Sequence, residues 1–199
     1  DYLPKQQSTF LYLFGVREAD CLALIHHDTG KSVLFVPFLD ENYQLWMVVK
    51  TPEELKQEYN VDEVRYVHEL REYLQQNNST VYLFSGVDSD SGLSVEEPSA
   101  EYLEGFNVDR TTLWPLISNL RAVKTPDEIE ILRYVCRVTT EAEKIAARSA
   151  KVGLTQVQLH SVFHFQHSVK SGSIQLGFNS ICSSGRDCAT LHYVDNDKL

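Results

Sequence analysis

Short apolar runs alternate with polar, periodic stretches along the first ninety or so residues. Residues 9–16 are almost continuously apolar and aromatic and close on Gly15-Val16. A run of that length ending at glycine predicts a buried strand. Residues 21–26 and 32–36 are two further apolar runs, separated by Asp28-Thr29-Gly30-Lys31. That turn chemistry predicts a hairpin. Thr51-Pro52-Glu53-Glu54 predicts a helix start, with threonine as cap, proline in the first turn and a glutamate reaching back. The helix is expected to end near Tyr59-Asn60. Val64-Arg65-Tyr66-Val67 predicts a short strand, and residues 69–76, with Leu70 and Leu74 four apart, a surface helix broken by Asn77-Asn78-Ser79. Residues 80–84 predict another strand, closed by Gly86, whereas residues 99–112 show no clear period. Trp114-Pro115-Leu116-Ile117 closes this first module. Strands alternating with helices predict an α/β layer with a mixed sheet.

The pattern changes near residues 118–124, which sets expected domains of 1–118 and 119–199. Thr125-Pro126-Asp127-Glu128 repeats the earlier helix-start chemistry. Ile129, Leu132, Val135, Cys136, Thr139, Ala142, Ile145 and Ser149 follow at spacings of three and four, which predicts one buried face of a long helix. Lys151 is placed in its last turn and Gly153 at a terminating left-handed position. Thr155-Gln156-Val157-Gln158 opens a further helix, with Leu159, Val162, Phe163 and Val169 on its inner face and Ser171-Gly172 at its end. Residues 181–193 read as strand, tight turn, strand.

Charge and cysteine usage narrow the function classes. There are 28 acidic and 18 basic residues, a net charge of −10, which argues against a partner made of phosphates, whether nucleic acid or anionic membrane. No run of about 18 apolar residues is present, so no membrane span is expected. The first residues, Asp1-Tyr2-Leu3-Pro4-Lys5, show neither an initiator Met nor a signal-peptide pattern, and read as the interior of a longer chain. Cys21, Cys136, Cys182 and Cys188 form no Cys-x-x-Cys pair, which suits a reduced, cytoplasmic protein. Asn78-Ser79-Thr80 is a formal glycosylation sequon, read here as an unused polar turn.

Several constellations bear on chemistry. His160 and His164 lie four apart on a predicted helix, a spacing that can hold zinc, with His167 three further on. The glutamate that a zincin places after its first histidine is Ser161 here, and the plainer alternative is a set of partly exposed helix histidines. Asp88-Ser89-Asp90-Ser91-Gly92 superficially suggests calcium, but glycine is fifth and the twelfth residue is Ser99, so a polar turn is expected. Ser183-Ser184-Gly185 is either an anion-binding turn or a plain one. His192 is brought to the end of a short apolar strand, where a neutral imidazole can donate to or accept from a bound substrate. The alternative is a core or edge histidine.

Taken together, the motifs resemble the prolidase (Xaa-Pro dipeptidase) branch of the pita-bread metallopeptidase family M24. Phe14-Gly15-Val16, Asp28-Thr29-Gly30-Lys31-Ser32, Leu34-Phe35-Val36-Pro37 and Gly86 through Gly92 look like that family's creatinase-like N-terminal domain. Arg121 through Thr125, Leu132-Arg133-Tyr134, Val152-Gly153 and Ile181 through Tyr193 look like the opening part of its α+β catalytic domain. The resemblance implies hydrolysis of dipeptides with C-terminal proline by two divalent metal ions, typically manganese, in a cytoplasmic homodimer. It implies substrate contacts from His192 and Leu191, and from Trp46, which in dimeric relatives reaches the partner's active site. An ordinary half-buried loop tryptophan is the alternative for Trp46.

The resemblance also has departures. Ser183 and Asp187 stand where relatives usually carry glycine and asparagine. The family's metal-ligand positions match nothing here: Asp195 and Asp197 are loop carboxylates outside that pattern. No catalytic or metal-binding residue is therefore expected within these 199 residues, and the chain alone is expected to bind no metal and to be inactive. The alternatives are an aminopeptidase P-type Xaa-Pro aminopeptidase and a metal-free pita-bread binding module.

Overall fold

The computed structural model describes residues 6–77, 80–89 and 91–198. Asn78 and Ser79 of the sequon and Asp90 of the acidic turn lie outside the described residues. The chain divides into two compact units, residues 1–119 and 120–199.

In the first unit, helix α1 (Ser8–Phe14) comes first, then strands β1 (Leu22–Ile25) and β2 (Ser32–Val36). A single-turn segment at Glu41–Leu45, helix α2 (Pro52–Tyr59) and strand β3 (Glu63–Tyr66) follow. Helix α3 (Leu70–Asn77), strand β4 (Val81–Tyr82), helix α4 (Ala100–Leu103), strand β5 (Val108–Asp109) and helix α5 (Leu113–Ala122) complete it, α5 running past the division. The sheet order is β1-β2-β3. β1 pairs antiparallel with β2, from Leu22 opposite Phe35 to Ile25 opposite Ser32. β3 pairs parallel with β2, from Val33 beside Glu63 to Val36 beside Tyr66, with α2 as the crossover. β4 and β5 form a separate parallel pair.

The expected hairpin, mixed sheet and α2 are present. Thr51 Oγ1 accepts from Glu54 N (3.3 Å) while Glu54 Oε2 accepts from Thr51 N (2.7 Å), the reciprocal cap legible in the residues. Residues 9–16 differ from expectation: they hold a helix, not a strand. Gln7 Oε1 caps it by accepting from Phe10 N at 2.8 Å. Gly15, at φ 68°, ends it by donating to Leu11 O. A continuous apolar run does not by itself separate strand from helix, and here the two caps decide. Phe10 and Phe14 then lie together on one side, rings tilted at 44° with centroids 5.3 Å apart.

β2 is buried on both faces. Leu34 and Val36 pack with Val16, Leu55 and Val61 on one side. Val33 and Phe35 pack with Leu70, Tyr73 and Leu74 on the other. The loop after α1 is tied to α2 by charge. Glu18 accepts from the Tyr59 hydroxyl and from Lys50 Nζ (3.0 Å), and Lys50 also reaches Glu58 at 2.6 Å. Burial, together with Glu18 and Asp20, pushes the nearby Cys21 thiol up to about 12. Phe84 stacks on Trp114 at 4.7 Å, and Gly86 lies so close to that indole that an added Cβ would overlap the ring.

In the second unit, helices α6 (Pro126–Ser149) and α7 (Gln156–Ser171) pack together. Both open on the expected reciprocal caps, Thr125 with Glu128 and Thr155 with Gln158. Ala142, Ala146 and Phe163 form the centre of the contact, where two alanines let the phenylalanine ring approach. The predicted stripe on α6 is buried only over its C-terminal half. Ile129, Leu132, Val135 and Cys136 are exposed, whereas Val138, Ala142 and Ala146 are buried. Val169 is likewise exposed rather than inner. α6 ends at Ser149 on an extended Ala150, so Lys151 and Gly153 belong to the following turn. Residues 181–193 are not strand-turn-strand. A 3-10 turn at Gly185–Ala189 stands between extended stretches that find no ladder partner among the described residues.

Phe35→Ala removes a fully buried ring that meets Tyr73 edge-on at 5.5 Å. The expected loss is about 3–5 kcal/mol of stability, read from urea unfolding followed by far-UV circular dichroism.

Candidate functional site

Leu191 and His192 share one exposed turn of the second unit, Leu191 being 84% exposed. The chain is fixed on both sides of that turn. Upstream, Thr190 N donates to Asp187 O at 2.9 Å. Downstream, Tyr193 is buried, and its hydroxyl donates to Gln156 Oε1 at 2.6 Å. Asn196 completes the clasp. Its Oδ1 accepts from Cys182 N (2.7 Å) and its Nδ2 donates to Ser180 O (3.0 Å).

Charge holds the same segment. Lys198 Nζ donates to both carboxylate oxygens of Asp187, at 3.0 and 3.1 Å. Lys198 thereby keeps the Asp187 carboxyl below the usual aspartate range, and Asp187 raises the Lys198 ammonium in return. Burial, with Asp187 close by, raises the Tyr193 phenol. Gln156, Asn196 and Lys198 were not singled out from the sequence for this role. The one visible signal was Gln156 in the first turn of a capped helix, which reads as helix chemistry and not as a loop anchor.

Trp46 belongs to the first unit, where it is 86% exposed just after the Glu41–Leu45 turn, beside the exposed Leu45 and Val48. His160 and His164 share a face of α7 as their spacing requires, ring centroids 4.2 Å apart. His164 Nε2 lies 3.4 Å from Ser180 Oγ, and His167 is buried. Desolvation first, then the neighbouring His160 and His167, lower the His164 pKa, which favours its neutral ring. Among the described residues no group of three or more His, Cys, Asp and Glu is placed to hold a metal ion. Asp88 Oδ1 accepts from Ser91 N (2.8 Å) and Ser91 Oγ (2.9 Å), and so closes its own turn. No helix among the described residues is long and apolar enough to cross a membrane.

Two stretches of the chain match known family models. Residues 1–83 match the aminopeptidase P N-terminal domain, and residues 130–199 match metallopeptidase family M24. The two matches follow one another along the chain, in the mixed α/β architecture expected. More particularly, the chain is similar to Xaa-Pro dipeptidases. It is 39% identical to that of Mus musculus over 191 residues, covering 95% of this chain and 39% of that protein. Identity to the Homo sapiens Xaa-Pro dipeptidase is 37% over 191 residues, with the same coverage of 95% and 39%. The chain therefore spans about two fifths of the length of these curated relatives. Among solved structures, it is similar in fold to proline aminopeptidase P II from Yersinia pestis. The TM-score is 0.77 at 22% identity, over 100% of this chain and 48% of that one.

The Asp187 carboxyl is depressed by Lys198, so the stability it contributes is present above the ordinary aspartate pKa. That contribution is lost as pH falls through the depressed value. Acidification below the usual aspartate range is expected to loosen residues 184–198 before the α6–α7 pair melts. Backbone NMR checks this, and Asp187→Asn should abolish the acid step.

Proposed function

We propose that the protein hydrolyses Xaa-Pro dipeptides in the cytoplasm, as a homodimer that uses two divalent metal ions, manganese by preference. The observation that carries the proposal is the 39% identity to an Xaa-Pro dipeptidase over 95% of this chain. The carboxylate and imidazole donors of the described residues do not make a dinuclear site: Asp187 is engaged by Lys198, and no suitable group converges. No step through a metal is therefore derived from these residues. When bound, the metals of a hydrolase of this type polarise the scissile carbonyl and activate water.

The part proposed for this chain is substrate handling. His192 would hydrogen-bond the bound dipeptide from its exposed turn, with Leu191 providing apolar contact beside it. The domain division proposed is an N-terminal domain over 1–118 and catalytic-domain sequence over 119–199. Trp46 would extend from the first domain into the partner's site, a role favoured by the exposed apolar run around it.

The deciding measurement is turnover of Gly-Pro by the whole protein against an Xaa-Pro-Xaa tripeptide in the presence of manganese, with metal content read in parallel. Dipeptide turnover supports the proposal; cleavage of the tripeptide alone identifies an aminopeptidase P activity instead. Loss of a substrate hydrogen bond costs about 1–3 kcal/mol, so His192→Ala is expected to lower kcat/KM by roughly 5–150-fold.

Trp46→Ala is expected to leave unfolding unchanged while lowering kcat/KM in the dimer. Sedimentation at the same concentrations verifies the assembly state. Unchanged kinetics in a verified dimer would remove Trp46 from the site.

A further inference from the structure

Gln156 is 4% exposed, at the first position of α7, and its polar atoms all find partners. As a first-turn residue, its backbone N–H has no partner within the helix. That N–H donates instead to Lys198 O at 2.7 Å. Its side-chain amide then spans the base of the His192 turn. The nitrogen end donates to Ser184 Oγ (2.9 Å) and toward Asp187 Oδ2 (3.4 Å), both upstream of His192. The oxygen end accepts from Tyr193 OH (2.6 Å) and Lys198 N (3.2 Å), both downstream.

A primary amide suits this place because it offers donors at one end and an acceptor at the other. A carboxylate would meet Asp187 with like charge, and an apolar residue would strand the Lys198 amide and leave the Tyr193 hydroxyl only its longer contact to Asp197 Oδ1 (3.4 Å). Burial makes the arrangement stringent, since an unpaired polar group there has no water to turn to. Leu191 and His192 themselves stay exposed, so the turn is rigid at its base and open at its tip.

We propose that Gln156 is a positioning residue for His192: by bridging Ser184 and Asp187 to Tyr193 and Lys198, it fixes the turn from which the imidazole meets substrate. This role rests on the substrate contact proposed above for His192. The titratable and charged groups around the amide are Asp187, Tyr193, Asp197 and Lys198.

The test is a double-mutant cycle on dipeptide hydrolysis, run with hydrogen exchange on the same proteins. Gln156→Leu is expected to speed exchange across residues 184–198 while leaving α6 and the later turns of α7 protected. It should lower kcat/KM by about 10–100-fold, the cost of an ångström-scale misplacement. In the His192→Ala background the same change should cost less than about twofold, because a residue acting through another loses its effect when that other is gone. Gln156→Glu supplies a readout that a purely structural role would not move. Its carboxyl beside Asp187 retains a proton to higher pH, and in that neutral form it can both donate and accept as the amide does. The ratio of its kcat/KM to wild type should therefore approach one at acidic pH and fall as pH rises. Equal costs of Gln156→Leu in both backgrounds would overturn the proposal, as would unchanged exchange over 184–198. If His192→Ala itself costs nothing, the substrate role of His192 falls and the positioning role with it. Exchange over 184–198 still shows independently whether Gln156 clamps the loop.

Discussion

A strand with no solvent face constrains everything around it, and in the first unit that strand is β2. Val33 and Phe35 point into one apolar cluster while Leu34 and Val36 point into another. Period-two alternation therefore does not separate a core face from a wet face here; it divides one core from a second. A register slip of one residue would exchange Phe35 with Leu34 or Val36 across the sheet and misfit both sides. The antiparallel hairpin on one edge and the parallel α2 crossover on the other fix that register from two directions. Glu18, Tyr59 and Lys50 then hold α2 and the loop after α1 at the rim of the first cluster, where charges remain partly hydrated.

The second unit is organised differently. Its apolar contact is small, two alanines and a phenylalanine between α6 and α7. The segment after α7 adds Leu176 to that contact and places Phe178 beside Phe163, while Ile174, Ile181, Leu191 and Val194 stay exposed. Around the His192 turn its ties are polar: Gln156, Asn196, and the Asp187–Lys198 pair. The ion pair alone is half in water and contributes little on its own. The buried amide matters more, because breaking its contacts leaves several desolvated groups unpaired at once. Such a network specifies one geometry for a loop that packing alone would leave free.

This contrast explains what was legible in the residues. The three threonine caps at Thr51, Thr125 and Thr155 depend only on neighbours three apart, and the chain shows them directly. The hairpin across Asp28-Thr29-Gly30-Lys31 is equally local. Residues 9–16 were misread because a continuous apolar run fits strand and helix alike, and Gln7 and Gly15 settle it through caps of ordinary composition. The α6 stripe has the expected period but less buried length, since a period fixes a face and not how much of it a neighbour covers. The Gln156 cluster joins residues 28 to 42 positions apart, and no local pattern announces it. The residues place His192 at the end of a short apolar strand, and only resemblance gives it a substrate role; the turn that bears it, and the support beneath that turn, emerge only in three dimensions.

The histidines of the second unit show why that support bears on function. His164 sits beside His160 and close to His167, in a setting where desolvation and like charge favour the neutral ring. His167 is buried among aromatic neighbours, including Phe163 at 6.1 Å. His167 is thus spent on the interior of the unit, whereas His160 and His164 are partly exposed along α7. His192 has the opposite arrangement: its side chain is solvated, but Asp187 and Tyr193 bound its backbone on either side through one buried amide. A ligand meeting an imidazole so placed does not have to order the loop as it binds, and the entropy that such ordering would cost is already met in folding. An exposed histidine on an unanchored turn would lack that advantage. In the arrangement proposed above, the side-chain amide beneath the turn acts only through the imidazole that it positions.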